Sequence, residues 1–183
     1  MFASRFILPV LAFTGLTAFA SPIEIERRAA DVSNVLDIVS ALQGSTSSIL
    51  PQLNTLVSNG QANTATVTPL INQLVTSLNT ASTSFNSLGP VDASTGGTQE
   101  DIATAFAPII SEITITLAAV EHAVPGLAPL LATLGIDFAL DQVLLGLDIV
   151  LHGVVHLVAV LLVDVGAILH NLAFVLTVAT LGL

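Results

Sequence analysis

The run Val143–Leu183 reads VLLGLDIVLHGVVHLVAVLLVDVGAILHNLAFVLTVATLGL. It holds no lysine and no arginine, and its only acidic residues are Asp148 and Asp164. A run this apolar is a buried core, a membrane segment, or a surface that engages something apolar. Length argues against a span first: only fifteen residues, 149–163, separate the two acids, short of the roughly twenty a spanning helix needs. The nineteen residues 165–183 have no basic flank and no aromatic belt. The expectation is a set of bundle helices that is partly covered and leaves an apolar patch exposed.

Helix rather than strand follows from the polar residues just upstream and within the run. Asp137, Asp141, Asp148, His152 and His156 follow one another at spacings of 4, 7, 4 and 4. On a helix wheel they form one stripe roughly 100° wide, whereas on a strand they would scatter over both faces. One long helix is therefore expected from about Ile136, bending or turning at Val163–Gly166. A shorter helix, Leu127–Leu134, precedes it and ends at Gly135.

Upstream the pattern becomes one-sided. Val32, Val35, Val39, Leu42, Ile49, Leu53 and Leu56 recur at helical spacing, with Thr46 the one polar residue in the seam. Pro51 predicts a kink or break near Ser47–Leu50, and Gly44 offers an earlier stop. After the turn Ser58-Asn59-Gly60, a second stripe runs Val67, Ile71, Leu74, Leu78, Ala81, Phe85, Leu88. Two such helices on a short loop make an antiparallel hairpin. Their outer faces are hydroxyl-rich, since residues 44–99 hold nineteen Ser or Thr. Thr98 with Asp101 reads as the capped start of a third helix, seamed by Ile102, Phe106, Ile109, Ile113, Leu117 and Val120 and stopped at Val124-Pro125-Gly126. The fold class expected is all-α: an amphipathic hairpin and a third helix packed with a strongly apolar C-terminal helical segment.

The N-terminus reads as a signal peptide over 1–20, with Arg5, an apolar run Phe6–Phe19, and a small-x-small site ending at Ala20. Residues 21–28 read as a pro-segment whose end, Arg27-Arg28, resembles a kexin-type processing site. Beyond them stand a Ser/Thr-rich amphipathic half over 29–88, a linker over 89–99 and an apolar half over 100–183. The three basic residues of the precursor are Arg5, Arg27 and Arg28, so a chain starting at Ala29 keeps eleven acids and no Lys or Arg. That excludes nucleic acid, and anionic headgroups bound through a basic patch. There is no cysteine, so packing alone must hold an exported domain of 155 residues together. Trp and Tyr are absent as well.

No constellation carries a reaction. His152 and His156 have the spacing of a zinc pair on a helix, and Asp148 lies one turn before them. No acid stands beside His152, however, and no third ligand is evident. A polar stripe with an Asp148–His152 hydrogen bond is expected rather than a metal site. No cofactor is expected, and without a G-x-S-x-G elbow or strands to hold one the chain reads as no hydrolase. The residues expected to meet an apolar surface are Leu140, Leu144, Leu147, Leu151, Val154, Val158, Leu161, Ile168, Leu172 and Val175.

This layout of leader, dibasic site, a polar half of the type DVSNVLDIVSALQGSTSSILPQL and a cysteine-free apolar half resembles secreted hydrophobic proteins of mushroom-forming fungi. Its helical first half is also similar to fungal hydrophobic-surface-binding proteins, while the lack of cysteine sets it apart from hydrophobins. The resemblance implies a secreted, wall-associated, non-enzymatic protein of aerial hyphae and attachment. Its partners would be apolar surfaces or wall material, with self-association as a further option. The alternatives are an extracellular carrier of lipid or a small apolar ligand, and a membrane-inserted helical hairpin.

Overall fold

The computed structural model describes residues 30–91 and 94–183. The expected leader, pro-segment and processing residues Ala20, Arg27 and Arg28 lie outside them. The described residues form eight helices: α1 Val32–Ser58, α2 Thr64–Leu88, α3 Gln99–Ala123, α4 Leu127–Leu134, α5 Ile136–Val150, α6 Val154–Leu161, α7 Val163–Asn171 and α8 Val175–Leu181. The all-α class is as the sequence periodicity demands.

The long helices begin where side chains can satisfy free backbone donors. Asp31 caps α1 by accepting from the Ser33 amide at 3.0 Å, and the Asn34 side chain accepts in turn from the Asp31 amide. Asn63 and Thr66 repeat this reciprocal cap on α2. On α3 it is Thr98 and Asp101, with the Asp101 carboxylate accepting from the Thr98 amide at 2.9 Å. Each pair satisfies amides that the first helical turn leaves without partners.

The three seams are the inward faces. In α1 every seam residue from Val32 to Leu53, Thr46 included, is buried, and so are Val67 to Phe85 of α2 and Ile102 to Val120 of α3 along their stripes. Thr46 is tolerated because its hydroxyl donates to the Gln43 carbonyl at 3.0 Å. The break expected at Pro51 does not occur, and α1 runs through both Gly44 and Pro51. Ser47 and Pro51 face solvent, so water can serve the carbonyl that proline's missing N–H leaves free, while Ile49, Leu50 and Leu53 stay in the core.

Helices α1 and α2 form the expected hairpin. Around it α3 packs on α1, α5 on α2, α6 on α3, and α8 on α5, so the helices ring one continuous core. The expected linker, 89–99, is tied to this core through its described residues. Its Val91 amide donates to the Val150 carbonyl at 3.1 Å, and the Thr95 carbonyl accepts from the Val32 amide at 3.2 Å. Gly96 sits at φ +81, where a Cβ would lie 2.9 Å from the Ser33 amide nitrogen. Only glycine fits that close approach.

The long helix expected from Ile136 is corrected. It stops at Val150, and Gly153 turns the chain at φ +92. The Asp148 carboxylate fastens this turn by accepting from the Gly153 amide at 3.1 Å. The bend expected at Val163–Gly166 comes just before it, at Leu162, where α6 and α7 meet at 84°. A third break follows at Leu172–Phe174. The physical reason is that a rod apolar on all but one stripe would expose much of its apolar circumference against a single layer of partners. Folding it into short pieces turns successive sides inward.

Candidate interfacial surface

The polar stripe of α5 does not face water as one band. The Asp137 carboxylate accepts from the amides of Leu176 at 3.0 Å and Thr177 at 2.9 Å, and from the Thr177 hydroxyl at 2.8 Å. Asp141 is buried and accepts from the Thr180 hydroxyl. Two acids of the stripe are thus spent on α8, and a third, Asp148, on the α5–α6 turn. These three carboxylates are each supplied with N–H or O–H donors, and Asp164 is open to water.

The histidines stay outside. His152 lies in the turn rather than on α5, its side chain 96% exposed, with Nδ1 3.6 Å from the Asp148 carboxylate. That is too long for the hydrogen bond expected there, and an exposed pair at that range contributes little. His156 is exposed on α6. Among the described residues no three His, Cys, Asp or Glu side chains converge to hold a metal ion, so Asp148, His152 and His156 do not assemble one. Asp164 and His170 are exposed in the first and last turns of α7, the acid and the imidazole each at the end its charge suits.

Most residues expected at the apolar surface are core in this fold. Leu140, Leu144, Leu147, Leu151, Val154, Val158 and Leu172 are buried, Ile168 is half-buried, and only Leu161 and Val175 are exposed. The reason is that α5 is enclosed between α2 and α8 while α6 packs on α3, so most sides of the segment meet a partner. At Gly146 a Cβ would come 3.3 Å from Phe85 Cβ, and the Ser82 hydroxyl donates to the Gln142 carbonyl at 3.1 Å. The missing side chain at Gly146 lets α5 and α2 approach each other.

Other apolar residues take the outside. Phe138, Leu145 and Ile149 are exposed on α5; spaced 7 and 4 apart, they form one ridge. Val160, Leu161 and Val163 are exposed at the α6–α7 corner, and Val175 and Leu176 at the start of α8. Helix α8 carries no charged residue, and two of the three α5 acids point into contacts with it. Phe138, Leu145, Ile149, Val160, Val163 and Leu176 were missed by sequence reasoning. Their spacing is visible in the chain, but the acidic stripe reads as the wet side of α5 until α8 is known to cover it.

The hairpin presents different chemistry. Along α1 and α2 the hydroxyls turn back onto their own helices: Ser45 donates to Ala41, Thr76 to Asn72, Thr80 to Thr76 and Ser84 to Thr80, at 2.8–3.1 Å. With their protons spent, they offer acceptor oxygens and methyl groups to solvent. Between α1 and α2 runs a surface groove of about 330 Å³, floored by Leu42 and Ala81 and edged by Ser45 and Thr80. At the start of α3, hydrogen bonds from the Thr98 side chain and then its amide hold the Asp101 carboxyl below the ordinary value of 3.8.

Among the described residues α3 is the one single helix long and apolar enough to cross a membrane, and 56% of its most apolar window is buried inside the bundle. From Val143 onward the helices are broken at three joints, and α4 with α5 (46° bend) or α6 with α7 (84° bend) reaches that length and apolarity only as a bent pair. No protein-family model matches this sequence, and no curated protein matches it.

Proposed function

We propose that the chain is an exported, non-enzymatic, surface-active protein that adsorbs at apolar interfaces such as a hydrophobic wall or the air–water boundary. One observation carries this reading. Among the described residues, eight of the nine large hydrophobic side chains left exposed lie between Phe138 and Leu176, three of them, Ile149, Val163 and Val175, more than 60% exposed. Exposed apolar groups gathered on one segment mark an interaction surface more often than scattered ones do. The segment has no Lys or Arg to hydrate it, whereas the hairpin is dressed in hydroxyls. The molecule is amphiphilic as a folded body.

The test is pendant-drop tensiometry on the purified chain starting at Ala29. The expected result is a fall in surface tension at about micromolar concentration with the helical spectrum retained. An unchanged tension sinks the reading. If lipid also co-purified, the α1–α2 groove would favour the carrier alternative, since Leu42 and Ala81 give it an apolar floor.

A further inference from the structure

We propose that α8 is a releasable strap, latched by Asp137, and that an apolar phase engages the strip of α5 beneath it. The proposal rests on the surface-active reading for its biological role, but its geometry stands by itself. Helix α8 has seven residues and no side-chain cap of its own, its N-cap position being Phe174. A helix that short has no stability in isolation. Its first amides are served instead by Asp137, 39 and 40 residues earlier, and its last turn by Asp141 through Thr180. The chain reaches it through Ala173 at φ +58, the one non-glycine residue in the left-handed region among those described.

Helix α8 packs on α5 along the side that carries Asp137 and Asp141. Leu140 and Leu144 stand one turn beyond Asp137 and Asp141 on the same side of α5, and both are fully buried. Helix α8 contributes the buried Val178 and Leu181 from above. On release, Val178, Leu181 and the side of α5 that α8 packs on would join the ridge already exposed at Phe138, Leu145 and Ile149. The latch is built from a carboxylate and neutral donors, with no cation involved, so added salt should leave it closed. An apolar phase opens it by replacing the contacts that Val178 and Leu181 lose. A ligand shifts an equilibrium only by its preference for one state, and an apolar phase prefers the open one.

Native-state hydrogen exchange with residue resolution tests this in solution, without any surface. In the unsubstituted chain, the amides of Thr177–Leu181 are expected to exchange through an opening of their own, well before α1–α3. Asp137→Ala should enlarge that opening about tenfold or more and leave α1–α3 unchanged. A cysteine pair, D141C with T180C, should abolish it when oxidised and slow the fall of surface tension, with reduction restoring both. If α8 instead exchanges only together with the rest of the bundle, the strap is refuted, and it is equally refuted if the oxidised pair adsorbs as fast as the reduced one. If α8 opens as described but the unsubstituted chain leaves surface tension unchanged, the surface-active reading falls while the strap stands on the exchange data.

Discussion

Ala173 adopts φ +58 at the joint between α7 and α8. An L-residue there costs about 1–2 kcal/mol relative to the right-handed region, some of which glycine gives back through the greater freedom of its unfolded chain. Ala173→Gly is therefore expected to raise stability by about 0.5–1 kcal/mol, read as a higher midpoint in thermal denaturation followed by circular dichroism. A second residue-scale expectation concerns Asp101, which accepts from both the amide and hydroxyl of Thr98. A lowered carboxyl pKa means that the ionised form is favoured by folding. Its contribution is present above the unfolded value of 3.8 and is lost as pH falls through the lower folded value. An NMR titration of the Asp101 carboxyl should give a midpoint below 3.8, and Thr98→Val should move it upward. A midpoint at the ordinary value would remove the cap from the account.

At the scale of elements, the α2–α5 contact decides how the apolar segment is buried. At Gly146 even a Cβ would lie 3.3 Å from Phe85 Cβ, and a larger side chain would run into it. Gly146→Val would force the helices apart and is expected to destabilise by about 1–3 kcal/mol, the usual cost of overpacking, measured by urea denaturation. The one-sided stripes of α1, α2 and α3 were legible because each buries one face, so Val35, Leu74 or Ile113 announces its environment by spacing alone. Helix α5 was legible in its start but not in its end. Around Leu151–Val154 the stripe of Asp148, His152 and His156 carries on at helical spacing, so no periodicity distinguishes a helix that continues from one that turns at Gly153. Pro51 misled for the opposite reason: its local penalty was real, but it falls on the wet side of α1, where water meets it.

At the scale of the whole molecule, core and surface leucines and valines are chemically alike, and only mutation separates them. Leu144→Ala is expected to cost about 2–5 kcal/mol of stability because it opens a cavity in the core. Ile149→Ser and Val175→Ser together should leave stability within about 1 kcal/mol of the parent, as surface changes do, while slowing adsorption in the pendant-drop experiment. Equal loss of adsorption from a stability-matched polar substitution on α1, such as Ser48→Asn, would show that the apolar ridge is not the adsorbing face.

The amino-acid sequence determined that this protein is helical, that its first three long helices each have one dry face, and that its last third carries no lysine or arginine. Those properties depend on spacing and side-chain chemistry within single elements, which a linear chain displays. Only the tertiary structure decided that Leu140 and Leu144 are hidden while Phe138 and Ile149 are not, and that Asp137 caps a helix 39 residues away. In a segment apolar on all sides, the direction each side chain faces is set by which partner arrives. That partner is chosen by the packing of the whole bundle.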